Sequence, residues 1–267
     1  MTIKFLKNEI IKIMHSKKIY ILLSFVIFMV LAISYIMYSE KNNIINNVPR
    51  TLKYSEQFKM EVLHMNSTIF LKQYSIEFVF RTVVPYFIFF IIAFSVEIFG
   101  EDFFSGNMKY FARLDKNTDS IFKAKVLSLI VYSFLIVVIN IILGFVISSF
   151  IFGVSFYGLA RVIFIYSSAV IPAASFGLII GIISMFIKNR TVSLTLGIVF
   201  SIFLTITDRL AITSKFSPIG ILGIMDKARI ENITAKTLII ANITSCIYLV
   251  VAYFIGKRIF KTKEFYY

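Results

Sequence analysis

The 267-residue chain is poor in charge, in acid and in cysteine. Charged residues make up 16%, against about 25% in a typical soluble protein. There are 14 Asp+Glu against 28 Lys+Arg, a net charge of +14. Cys246 is the one cysteine, so a disulfide scaffold is excluded. His15 and His64 lie far apart without ligand-like neighbours, and no metal site is expected. A phosphate-binding loop is missing too. Gly256-Lys257 is the nearest approach, but Val251 stands where the first glycine belongs and Arg258 follows the lysine. Nucleophile elbow, HExxH and triad are all absent, so the chain is not expected to be an enzyme or to hold a cofactor. No low-complexity tract or internal repeat is visible.

What is present is apolar. Hydrophobic residues make up 58%, with 30 Phe and 14 Tyr, and the mean hydropathy is +0.86. A soluble domain cannot hide that much apolar surface, and disorder is excluded for the same reason. The class is integral membrane protein. A helix crossing the hydrocarbon needs about 20 apolar residues. Six stretches are read as spans: 19–39, 82–99, 126–152, 162–187, 192–207 and 237–255. The runs are continuous rather than alternating, which favours helices over a barrel.

Six spans place both termini on one side. The segments on that side hold 16 of the 28 Lys+Arg, more densely than the opposite side's 12. The positive-inside rule therefore puts both termini in the cytoplasm of a plasma-membrane protein. The basic residues fall between apolar runs, so anionic lipid headgroups are the expected partner and nucleic acid is not. The apolar stretch after Lys18 is too long for a signal-peptide core and reads as an uncleaved anchor.

Residues 1–18 read as an amphipathic interfacial helix. Ile3, Leu6, Ile10 and Ile13 form a stripe, with Lys4, Lys7, Asn8 and Lys12 opposite. The 40–81 loop is too long for a connector and is expected to extend the first helices or form a small cap. The loop 208–236, with short apolar runs such as Ile219–Met225, suggests re-entrant or interfacial helices.

The cytoplasmic loop 100–125 is nearly neutral, with five Lys+Arg against four Asp+Glu. Its charges interleave with Phe103, Phe104, Met108, Tyr110 and Phe111, a composition that suits a protein-facing surface. Glu97 sits about one turn inside the second span. A carboxylate there needs a partner, and Lys123 or Lys125 is expected to supply it. Arg81 and Pro85 mark the other end of that span, with Arg81 as a headgroup anchor. Pro172 is expected to kink the fourth span. Around it Ala169, Ala173, Gly177 and Gly181 recur every four residues, a row that lets another helix approach closely. Asn140 and Asn242 are expected to hydrogen-bond between helices.

One stretch carries a resemblance. Glu101-Asp102, then Ser105-Gly106, then an amphipathic segment with Lys109 and Arg113, then Ala124-Lys125 opening the next span, resembles permease subunits of ATP-binding-cassette exporters of the second exporter type. The amphipathic start, six spans, the partly apolar loop before the last span and the basic tail Lys261-Thr262-Lys263-Glu264 are similar too. The resemblance implies an all-α polytopic fold with a cytoplasmic coupling helix between spans two and three. It implies a separate ATPase subunit, which binds ATP and Mg, and a second permease copy, identical or related. Glu101, Asp102, Ser105, Gly106, Lys109 and Arg113 would then lie at the ATPase interface. The chain departs from the family at Asp115-Lys116-Asn117-Thr118-Asp119, where members often carry a proline and a basic residue. The cargo implied by apolar, aromatic walls is amphipathic or hydrophobic, such as a membrane-active or antimicrobial peptide. The alternatives are a secondary transporter or channel, which would show inverted repeats or midplane charges, and a membrane enzyme or assembly factor, which would show clustered His or carboxylates.

Overall fold

In the computed structural model the residues described are 2–74, 86–105, 118–187, 189–207, 216–219 and 235–263. Arg81, Pro85, Gly106, Lys109, Arg113 and the apolar run 220–225 lie outside them. Among the described residues the regular structure is all helical.

Helix α1 (Thr2–Met14) ends at His15, and Ser16 takes an extended conformation before α2 (Lys17–Ile45). Asn47, with φ of 51°, ends that run. A 3-10 turn (Pro49–Lys53) follows, then α3 (Glu56–Leu63) and α4 (Ser67–Gln73). Ser55 Oγ caps α3 by accepting from Phe58 N at 3.3 Å. Asn66 Oδ1 caps α4 by accepting from Thr68 N and Ile69 N at 3.1 and 3.0 Å. Each thereby satisfies donors that a helix start leaves open. The expected long loop is thus an extension of α2 plus a small helical cap.

Next come α5 (Tyr86–Phe104), α6 (Thr118–Phe152), α7 (Leu159–Ser168), α8 (Val170–Ser184), α9 (Arg190–Thr207) and α10 (Ala235–Lys263). Among the described residues five helical segments are long and apolar enough to cross a bilayer: 17–45, 119–152, 159–184, 190–207 and 238–262. Their outward faces are apolar, with Phe28, Phe203 and Phe254 more than half exposed. Water would penalise such faces and hydrocarbon does not. The chain is a multi-pass membrane protein. Helix α5 is not among the five segments, because its last eight residues carry Glu97, Glu101 and Asp102.

Helix α8 is the centre. It packs against α10, α5, α6 and α9, and most of its residues are buried. The expected row of small residues explains the packing. A Cβ at Gly181 would enter the Phe99 ring, and one at Gly177 would meet Ile91 Cγ2 at 2.9 Å and Leu129 at 3.2 Å. The Ser95 hydroxyl donates to Gly177 O across the same seam. The row therefore brings α5 and α8 of one chain together. At Ala169, between α7 and α8, N donates to Tyr166 O at 3.1 Å, three residues back rather than four. Pro172, three residues on, has no N–H to return to Ser168 O.

The stripe of α1 was expected to lie at the lipid boundary. Part of it meets protein, since α1 packs against α6. Ile13 is buried, and Ile10, Ile13 and Met14 face Ser128, Val131, Tyr132 and Leu135 of α6. The helix has a protein partner for that part of the stripe, and Ile3 is left 81% exposed.

Candidate functional site

The α1 end of the bundle holds a buried, charge-balanced cluster. Lys125, near the start of α6, is 1% exposed. Its ammonium donates to Asp102 Oδ2 at 2.6 Å and to Ile98 O at 2.5 Å, both on α5, and reaches Glu9 Oε1 of α1 at 3.4 Å. Lys12 of α1 lies 3.7 Å from the other Asp102 oxygen. Two cations and two carboxylates thus meet where α1, α5 and α6 converge. A buried ammonium is tolerable only when paired and hydrogen-bonded, and Lys125 has both. Burial pushes the Asp102 carboxyl upward, but the Lys125 and Lys12 ammonium groups outweigh it and hold it below the usual carboxylate range.

A second pair lies one turn further in. Lys18, at the start of α2, pairs with Glu97 of α5 and lies 6.0 Å from the centroid of the Phe94 ring. Phe94 stacks on Tyr132 of α6, with centroids 3.5 Å apart. On the rim, Arg190 at the head of α9 meets Glu101 at 3.6 Å, both side chains well exposed. Asp119 of α6 receives Lys257 and Lys261 of α10 at 2.8 and 3.0 Å. Among the described residues, ion pairs at this end thus tie α5 to α1, α2, α6 and α9, and α6 to α10.

Several expected roles change. Glu97 pairs with Lys18 rather than with Lys123 or Lys125. Lys123 points outward, and Lys125 is taken by Asp102 and Glu9. Asp102, expected on a partner-facing surface, is 3% exposed and turned inward, because Lys125 needs an anion. Glu101 remains accessible. Ser105 closes α5, its Oγ donating to Glu101 O at 2.8 Å, and is exposed. Glu101 and Ser105 thus sit on the rim, with Gly106, Lys109 and Arg113 outside the described residues.

Glu9 was not singled out from sequence, and Lys12 was placed on the polar side of the first helix without a partner. Glu9 carried a signal: it is the sole acid of residues 1–18 and adjoins Ile10 of the apolar stripe, as an inward-facing carboxylate would. Asn140 accepts from Tyr86 at 2.8 Å between α6 and α5. Asn242 instead donates to Leu238 O of its own helix at 2.9 Å. Among the described residues no three His, Cys, Asp or Glu side chains could hold a metal.

No family model, curated protein or solved structure was found to match the chain.

Proposed function

We propose that this chain is the permease subunit of an ATP-binding-cassette exporter. In this reading α2, α5 with the residues ahead of it, α6, α7–α8, α9 and α10 make six crossings, and the termini are cytoplasmic. A separate ATPase subunit binds ATP and Mg, and two permease copies, identical or related, form the path. The cargo is amphipathic or hydrophobic, such as a membrane-active peptide.

The observation that carries the reading is the construction of the α1 end. The chain leaves α5 at Ser105 and returns at the start of α6. The two roots of the segment between are clamped to each other and to α1 by Lys125, Asp102, Glu9 and Lys12. Force applied to that segment by a partner would reach α5, α6 and α1 together rather than being lost in a loose loop. Such a force could then shift the bundle between inward-closed and outward-releasing states. Glu101, accessible beside Arg190, is the described charge best placed to meet the partner.

Co-purification from detergent tests the reading. An ATPase subunit should accompany the wild-type chain. Glu101→Lys or Gly106→Trp should abolish its retention while membrane insertion survives. If the chain is isolated alone, and no ATPase is encoded beside it, the exporter reading fails. If both variants retain the ATPase, the interface lies elsewhere.

A further inference from the structure

The break at Ala169 separates two helices with different neighbours. Helix α8 packs along α10, whereas α7 leans on α4 and α6. Where α7 stands off α10, a groove of about 670 Å³ lies between them. Its long axis follows α10. Ile239, Ile243, Ile247 and Val251 recur every four residues and make one wall, each about half exposed. Phe164, Ser167 and Ser168 of α7 make the other.

The ends of α10 place the groove in the membrane. Lys257 belongs to the α1 end, through its pair with Asp119. Leu238, at the other end of the groove, lies about 28 Å of helix away, close to the roughly 30 Å thickness of the hydrocarbon. From Leu238 to Val251 the helix rises about 20 Å. The groove therefore runs through the leaflet opposite α1 and reaches past the middle of the membrane.

Width and chemistry decide what fits. Over that length, 670 Å³ gives a cross-section of about 33 Å², or a channel roughly 6 Å across. A helix with its side chains is about 10–12 Å wide and cannot enter. A single hydrocarbon chain can. The polar groups in the groove ask for little. Asn242 Nδ2 donates to Leu238 O at 2.9 Å and Ser168 Oγ to Ile165 O at 2.6 Å, each within its own helix. The α10 wall is also stiff, because Ile and Val are branched at Cβ and hold one χ1 rotamer in a helix. A chain lying there costs the wall little side-chain freedom and supplies the dispersion contacts that an unfilled space would forfeit.

We propose that this groove is a binding site for one acyl chain of a phospholipid from the leaflet opposite α1, held as a resident of the protein. The headgroup of that lipid sits beyond the Leu238 end. The inference rests on the groove alone and holds with or without an ATPase partner.

Lipid retention tests it. The chain is reconstituted in vesicles of palmitoyl-oleoyl phosphatidylcholine, extracted in mild detergent and washed. Native mass spectrometry then counts phosphatidylcholine per chain. Wild type should keep a single molecule that the wash does not remove. Cys246 is exposed and lines the groove, so Cys246→Trp fills it from α10. Ser167, also exposed, fills it from α7 as Ser167→Trp. Both variants should cut retention about tenfold, because an indole overfills a space that fits one chain. Cys246→Ser adds no bulk and should keep the lipid. So should Val199→Trp, at a 55% exposed position of α9 outside the groove. Thermal unfolding close to wild type shows that the filled variants are folded, and the two opposite walls make the result independent of either one. A wild type stripped of lipid by the wash would overturn the proposal. So would filled variants that keep as much lipid as Val199→Trp. Filled variants that instead lose a dimer would also overturn it, and would assign the groove to a second copy of the chain.

Discussion

Lys125 shows how strongly one buried charge can organise its surroundings. Its ammonium has no water to return to, so the carboxylates of Asp102 and Glu9 must come to it. The neighbours differ in weight. Asp102 is buried at 2.6 Å, whereas Lys12 is about half exposed and 3.7 Å away. Asp102→Ala should lower stability by about 3–5 kcal/mol, because it strands a buried cation. Lys12→Ala should cost less than about 1 kcal/mol. Thermal unfolding in detergent ranks the two, and equal losses would contradict the assigned roles. The sequence already showed that Glu97 needs a partner and that Asn140 sits in an apolar run. It did not show which partners. Lys123 is the nearest cation along the chain on α6, yet Lys18, 79 residues from Glu97, is the one that pairs with it. Pairing of this kind is set by how helices pack, and local pattern carries no record of that. Tyr86, which donates to Asn140, stayed hidden because a tyrosine at a membrane protein's apolar boundary is ordinary.

At the scale of elements, the seam between α5 and α8 is the most exacting contact. Gly177 and Gly181 allow it, and Ser95 bonds across it. Gly181→Leu should cost about 1–3 kcal/mol or more, since the Phe99 ring cannot give way without moving α5. Gly158, with nothing within 4 Å of its Cβ position, lacks that penalty and carries only the strain of its φ of 77°. Detergent-solubilised Gly181→Leu should therefore aggregate or unfold earlier. Unchanged melting would mean that the seam is looser than drawn. The four-residue repeat was readable in sequence as a close-approach face, but α5 as the approaching helix was not. The stripe of α1 was equally readable, and its burial was assigned to lipid. A 3.6-residue period reports that a face is covered, not what covers it. The cap over 46–74 was foreseen only in outline, because its helices are short and their signals, Ser55 and Asn66 as caps, are local.

For the molecule as a whole, the charge imbalance and the exposed phenylalanines agree on a membrane setting. Among the described residues a buried, charge-balanced group stands inside the bundle, at Glu9–Lys12–Asp102–Lys125. Deleting residues 2–14 removes Glu9 and Lys12 together, so the remaining pair, Lys125 and Asp102, stays neutral. The truncated chain should still insert, and it should unfold at a lower temperature because Ile13 no longer covers α6. Limited proteolysis at the α1 end would show the same change as new cleavage near residues 118–135. A truncated chain with wild-type melting and digestion would show that α1 contributes nothing to this end.

Helix α6 gives these parts a common scale. Its 35 residues span about 52 Å at 1.5 Å per residue, well beyond the roughly 30 Å hydrocarbon. α1 grips it near one tip and α4 near the other. A beam held this way acts as a lever with its fulcrum against α8. Rocking it by about 5° about Leu129, which meets Gly177 of α8, sweeps the Phe152 tip about 3 Å at 1.5 Å per residue. That is enough to part the hydrogen bond of Ser155 N to Ser67 Oγ, just past the tip, while Asn140, halfway along, moves only about 1.4 Å. A rotation that barely moves the ionic clamp at one tip is therefore magnified several-fold at the other.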